Sequence, residues 1–169
     1  DPNFKWDWKV FREEKKKLKI DYPPEHVIDK KIVLKNLEKH KSDSYVMWLD
    51  HASFIIKLGN TTIITDPVFE KNYGPMIFGP KKYIESPLTL KELPKIDLFL
   101  LTHNHYDHMS IRTIKNFPYK NTKVLVPLKL GKYFTKNGYK KDTVKEMDWF
   151  DKIKINDEIT VTMLPSQHW

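Results

Sequence analysis

The sequence predicts an α/β (α+β) chain arranged as the first half of an αββα sandwich, and two observations predict it. Short runs of strand length crowd residues 45–65, so strands come first. From residue 96 onward, apolar runs of strand length alternate with segments of helical spacing, the pattern of strands joined by helical crossovers.

Residues 1–43 read as a charged amino-terminal extension and 44–169 as the amino-terminal part of a larger domain. In the extension, Glu13-Glu14 precedes Lys15-Lys16-Lys17 near Trp6, Trp8 and Phe11. That composition suits either a basic amphipathic helix at a membrane surface or a solvated helix whose aromatic rings pack on the domain. Tyr22-Pro23-Pro24 is a turn signal, and a helix is expected over about 26–39.

Strands are expected at 45–49, 53–58 and 61–65, the last two joined by Gly59-Asn60 as a tight hairpin. Residues 68–88 form a long connection rich in Gly, Pro, Lys and aromatic residues, and loops of that length in compact domains are usually functional or disordered. A short buried strand follows at 96–101. Ser110 is placed to cap a helix running through Phe117, with Ile111 and Ile114 inward and Pro118 ending it. A strand at 123–127, a helix at 128–137 closed by Gly138, and strands at 144–147, 152–155 and 159–164 complete the reading.

Composition narrows the class. With 40% hydrophobic and 31% charged residues, the 169-residue chain is ordinary for a folded segment and large enough for one domain. No run approaches the roughly 20 apolar residues that span a bilayer, so a soluble or peripheral protein of undetermined compartment is expected. Cysteine is absent, which excludes a disulfide framework and a thiolate metal site. The net charge of +8 favours anionic partners such as phospholipid head groups, a membrane surface or nucleic acid. No dedicated nucleic-acid motif accompanies it, so nucleic acid ranks last.

The segment with the most chemistry is His103-Asn104-His105-Tyr106-Asp107-His108, directly behind the apolar run 96–101. Ligands collect at the carboxyl ends of strands in α/β sheets. Imidazole and carboxylate together suit zinc and neighbouring transition metals and can leave coordination positions open. In an extended segment alternate side chains face one way, so His103 and His105 can hold one ion, while Asp107 and His108, past the bend, can serve a second. A histidine-rich surface loop is the bland alternative, and four specified residues at fixed spacing after a strand weigh against it.

This stretch resembles the His-x-His-x-Asp-His signature of the metallo-β-lactamase superfamily of binuclear zinc hydrolases. Within it the chain is similar to the N-acyl phosphatidylethanolamine phospholipase D branch. The similarity is carried by Trp48-Leu49-Asp50-His51-Ala52, Thr65-Asp66-Pro67, Gly79-Pro80-Lys81-Lys82-Tyr83, Ser86-Pro87, Glu92-Leu93-Pro94-Lys95-Ile96-Asp97 and Pro165-Ser166-Gln167-His168-Trp169. At Asp50 it departs from the Gly expected between Leu and His.

The resemblance implies the metallo-β-lactamase-type αββα sandwich with only its first half present. It implies two zinc ions, the first held by His103, His105 and His168 and the second by Asp107 and His108, which are also the catalytic pair. Asp66 would orient the ligands from behind. The pattern's later bridging Asp and last His are not found, and two protein ligands are fewer than the three zinc normally takes. A carboxyl-terminal half or a second chain would supply the rest.

The implied reaction is hydrolysis of a phospholipid phosphodiester by a metal-bridging hydroxide. Tyr73, Phe78, Lys81, Lys82 and Tyr83 are candidates for an apolar and cationic rim for the lipid. His51 is either a near-site residue or a core histidine. Two alternatives remain: a metal-dependent lactonase resembling L-ascorbate-6-phosphate lactonase, and a catalytically incomplete fragment that binds anionic partners.

Overall fold

Tyr45–Asp50 (β1), Ser53–Leu58 (β2) and Thr61–Thr65 (β3) form an antiparallel meander at the expected positions. Gly59 takes the left-handed conformation, φ 53°, that the tight β2–β3 turn demands. The computed structural model describes residues 26–74, 79–82 and 84–167, together with residues 7, 9, 10, 13, 17 and 23. Trp6, Trp8, Phe11, Lys15 and Lys16, on which the two readings of the amino-terminal extension turn, and the residues Phe78, Tyr83 and His168, lie outside them.

Leu98–Leu100 (β4), Lys123–Pro127 (β5) and Val144–Met147 (β6) extend the meander in parallel, giving one sheet of order β1-β2-β3-β4-β5-β6. Parallel neighbours need crossovers. Two short helices lie within them, Ile111–Asn116 between β4 and β5 and Gly131–Thr135 between β5 and β6. With Lys30–Lys39 as α1, these are α2 and α3. The register Thr65↔Leu100 brings the carboxyl ends of β3 and β4 side by side, so Asp66 and Thr102 leave the sheet at one edge.

One face of the sheet carries Leu49, Ile55, Ile64, Phe99, Val124 and Val126, packed against Ile114, Phe117 and Phe134. Phe99 meets Phe117 and Phe134 edge-on at 5.3 and 5.0 Å between centroids. Val33 of α1 is buried in the same cluster, so α1 joins the packed body. Ser110 caps α2 as expected, accepting from the Thr113 N–H at 3.0 Å. Ile111 is not inward as expected; it is 42% exposed. The inner arc is centred on Thr113, Ile114 and Phe117, and at 100° per residue Ile111 lies about 115° from that centre. The helix expected at 128–137 is shorter, because Lys129 at φ 69° and a turn from Leu130 N–H to Pro127 C=O occupy its first positions.

The other face carries Ile63, Leu98, Leu125 and Met147, covered by Ile153, Ile155, Val161 and Met163 of the hairpin Lys152–Lys154 (β7) and Thr160–Thr162 (β8). Asn156 at its turn donates from Nδ2 to Thr61 Oγ1 at 2.9 Å and ties the hairpin to β3. Val46 and Trp48, in register with Ile56 and Phe54, remain exposed at the β1 end of this face. The helices, the main sheet and the small second sheet are the layers expected of the first part of an αββα sandwich. Among the described residues no helix is long and apolar enough to cross a membrane.

Candidate metal centre

Asp66 organises the edge where β3 and β4 end. It is buried, sits just past β3 at φ 39°, and accepts from the Thr102 N–H at 2.7 Å and the Thr102 hydroxyl at 2.6 Å. Its Oδ2 is also 2.8 Å from His108 Nδ1. A non-glycine residue at positive φ is uncommon, and its cost is borne where the surroundings fix it. Here Ser53 Oγ donates to the Asp66 carbonyl at 2.7 Å, stitching the start of β2 to the same point.

Residues 102–108 close into a compact turn, with the His108 and Met109 N–H groups both bonding the His105 carbonyl at 3.0 and 2.7 Å. Met109 anchors the turn in the core. The imidazoles of His105, His103 and His108 follow one another, with ring centroids 4.8 Å and then 4.0 Å apart. The row continues to His51, 5.3 Å from His108. Thr102 Oγ1 lies 3.0 Å from His103 Nδ1.

His51 arrives from the β1–β2 turn at φ 38°, its carbonyl held by Trp48 Nε1 at 3.0 Å. Its Nε2 is 2.9 Å from Asp107 Oδ2, and His108 Nε2 is 3.7 Å from the same oxygen. His51, Asp107 and His108 form a group, among the described residues, whose ligand atoms all lie within 4.8 Å of one another. Burial would lower the His108 pKa, but its bond to the Asp66 carboxylate, and the charges of Asp66 and Asp107, outweigh that and raise it. Burial would raise Asp107, but its backbone hydrogen bond and the His108 and His51 imidazoles hold it below the usual carboxylate range.

This arrangement fits a metal ion. With Nδ1 of His108 engaged by Asp66, Nε2 faces the Asp107 carboxylate at 3.7 Å, too far for a hydrogen bond. Two groups bound about 2.1 Å from one ion stand roughly 3–3.7 Å apart, so the spacing suits shared coordination. Nitrogen and oxygen donors without sulfur suit zinc and iron alike.

The expected rim divides. Tyr73 packs on His51 with ring centroids 5.2 Å apart, and burial, then the Asp50 and Asp107 charges, push its phenol pKa up. Lys81 is exposed. Lys82 does not belong to a rim: its side chain is 2% exposed and its ammonium is 2.5 Å from Asp50 Oδ2. An ammonium removed from water needs such a partner, and Asp50, the departure from the expected Gly, provides it. His51 stands at the site and not in the core, so the reading of it as a buried core histidine is corrected. What the motif alone did not signal is that its Nε2 reaches Asp107, 56 residues away.

A family model described as the Beta-lactamase superfamily domain matches residues 61–169. The chain is 32% identical over 158 residues to N-acyl-phosphatidylethanolamine-hydrolyzing phospholipase D 1 of Caenorhabditis elegans, covering 83% of this chain and 44% of that protein. It is 32% identical over 124 residues to a UPF0173 metal-dependent hydrolase of Caldivirga maquilingensis, covering 73% and 48%. Among solved structures, CmlA, a diiron beta-hydroxylase from Streptomyces venezuelae, is similar at a TM-score of 0.54 and 27% identity, over 73% of this chain and 24% of that one. The chain thus spans less than half the length of these relatives. With the family model covering most of its length and the sheet order and site loop in agreement, the chain belongs to the metallo-β-lactamase superfamily.

Proposed function

We propose that this chain carries the first part of the active site of a zinc-dependent phosphodiesterase acting on N-acylated ethanolamine phospholipids. The observation that carries the metal-centre reading is the Asp66–His108 hydrogen bond at 2.8 Å, which commits Nδ1 and leaves Nε2 for a metal beside Asp107. Its support as a hydrolase is likeness to a metal-dependent hydrolase, and its support as a phospholipase is the name of the nematode relative. Zinc, when bound, would supply Lewis acidity and a nucleophile at neutral pH.

The chain's own residues would do the rest. His103 and His105, with His168, would hold one ion, and Asp107 and His108 the other. Asp66 fixes the direction of His108 and, through Thr102, the start of the loop. Tyr73 and the exposed Lys81 would meet the lipid, and the +8 net charge favours an anionic head group and association with a membrane surface. Residues outside this chain, from a carboxyl-terminal half or a second chain, would complete the ligand set.

The test is an assay of the full-length protein containing this chain on vesicles of N-acyl phosphatidylethanolamine, with bound metal quantified by elemental analysis. Release of N-acylethanolamine that is lost in His103→Ala, with zinc in the active material, is the expected result. Hydrolysis of lactones without activity on vesicles would replace this substrate with the lactonase reading. Iron in place of zinc, as in the diiron neighbour, would overturn the metal assignment.

A further inference from the structure

We infer that His51 is a positioning residue whose Nε2–H sets the direction of the Asp107 carboxylate, an inference that rests on the metal-centre reading above. His51 Nε2 is 2.9 Å from Asp107 Oδ2, the distance of a hydrogen bond. An ionised carboxylate only accepts, so the imidazole nitrogen is the donor and its proton sits on Nε2. The Asp107 side chain is 37% exposed and follows the exposed Tyr106, so burial does not fix its direction. The bond from His51 does. A carboxylate has about four lone-pair sites, and one bond from an imidazole leaves the others for a metal.

The fold uses this device twice. β1 and β3 are both antiparallel to β2, so their carboxyl ends share one edge of the sheet. Asp66, one residue past β3, lies 2.8 Å from His108 Nδ1, and His51, one residue past β1, lies 2.9 Å from Asp107. The two stand at φ 39° and 38°, left-handed conformations that are costly for residues with side chains and collect at functional sites. Each of the two neighbouring candidate ligands, His108 and Asp107, thus has a partner behind it from the end of an earlier strand. Such partners orient ligating side chains. The His51 seat is itself secured: Trp48 Nε1 donates to its carbonyl at 3.0 Å, Tyr73 packs on its ring, and the buried Asp50–Lys82 pair anchors the residue before it.

The competing role is a turn residue that takes no part in the site. Two substitutions set the roles against each other. Asn suits the left-handed turn best, but its amide nitrogen is one bond closer to the backbone than His Nε2. Gln suits the turn less, yet its amide nitrogen is as many bonds out as Nε2. In the full-length protein containing this chain, zinc titration of His51→Asn should show affinity for one ion about 10–100-fold below the unsubstituted protein, with His51→Gln losing less. His51→Asn binding zinc as well as His51→Gln, or better, overturns the inference.

The imidazole proton gives a second reading, on the unsubstituted protein. With ¹⁵N-labelled imidazoles, the His51 signal is the one missing from either variant, and in the zinc-loaded protein it should keep a protonated Nε2. An Nε2 without its proton overturns the inference and leaves the metal centre standing. No zinc bound by the unsubstituted protein overturns the metal centre and the inference together.

Discussion

Lys82 and Asp50 form a buried ion pair: the ammonium is 2.5 Å from Asp50 Oδ2, and the two side chains are 2% and 1% exposed. Lys82 also donates to the Val68 carbonyl and lies 5.3 Å from the centre of the Tyr73 ring. The pair fastens the loop after β3 to the end of β1, one residue before His51. Asp50 Oδ1 has no hydrogen-bond partner among the described residues, so the carboxylate depends on Lys82. Lys82→Met would leave a buried charge uncompensated and lower stability by about 3–5 kcal/mol. Asp50→Gly/Lys82→Met should recover most of the loss, since neither charge then remains. Urea unfolding of both single variants and the double variant gives the coupling energy.

Asp66 accepts two hydrogen bonds from Thr102 and pairs with His108 Nδ1. Asp66→Asn keeps the size but offers an N–H₂ group to one of those partners, setting donor against donor. Either His108 turns over to its other tautomer or the loop shifts. Metal affinity is expected to fall about 10–100-fold. Stability should fall by about 1–3 kcal/mol through the unsatisfied buried group. Calorimetric zinc titration and thermal melts of the metal-free protein measure the two effects separately.

The meander and the site loop were legible because their signals are local. Alternation marks β1 to β3, Gly59-Asn60 marks their turn, and an apolar run followed by histidines marks β4 and its loop. The inner face of α2 is not legible in the sequence because six residues make fewer than two turns, too few to fix a hydrophobic arc. The pairing of Lys82 with Asp50 joins residues 32 apart, and a lysine in a loop reads as solvated until its partner is placed. His51 was visible as a candidate, but its distance to Asp107 depends on a strained turn that sequence periodicity does not encode.

Gly79 is where the long loop has no tolerance for a side chain. Its φ is 106°, and a Cβ would stand 2.0 Å from the Tyr73 carbonyl oxygen. Two bonds close the loop there, Tyr73 N–H to Pro80 C=O and Lys82 N–H to Lys71 C=O, each 2.9 Å. Gly79→Ala must open this bracket or strain it, at a cost on the order of 1–3 kcal/mol. Hydrogen exchange should accelerate at the Tyr73 and Lys82 amides while the amides of β4 and β5 keep their protection. Unchanged exchange in the loop would mean that the close approach is not maintained in solution.

Glu92 connects the turn before β4 to α1, and its charge gives the link a pH dependence. The Lys30 ammonium 2.5 Å from Oε1, with the Thr89 N–H and hydroxyl each 2.8 Å from Oε2, holds its pKa well below the usual range, at about 2. The folded state favours the carboxylate, so the stabilisation is present above the ordinary carboxylate pKa and disappears as pH falls toward 2. Both side chains reach solvent, which limits the pair to about 0.2–1 kcal/mol. Glu92→Gln should therefore be less stable than the parent at pH 7, and the difference should shrink steadily between about pH 5 and pH 2. Urea midpoints across that range test it: a constant gap would show that Glu92 acts through its capping bonds to Thr89 alone, with no contribution from the charge that Lys30 stabilises.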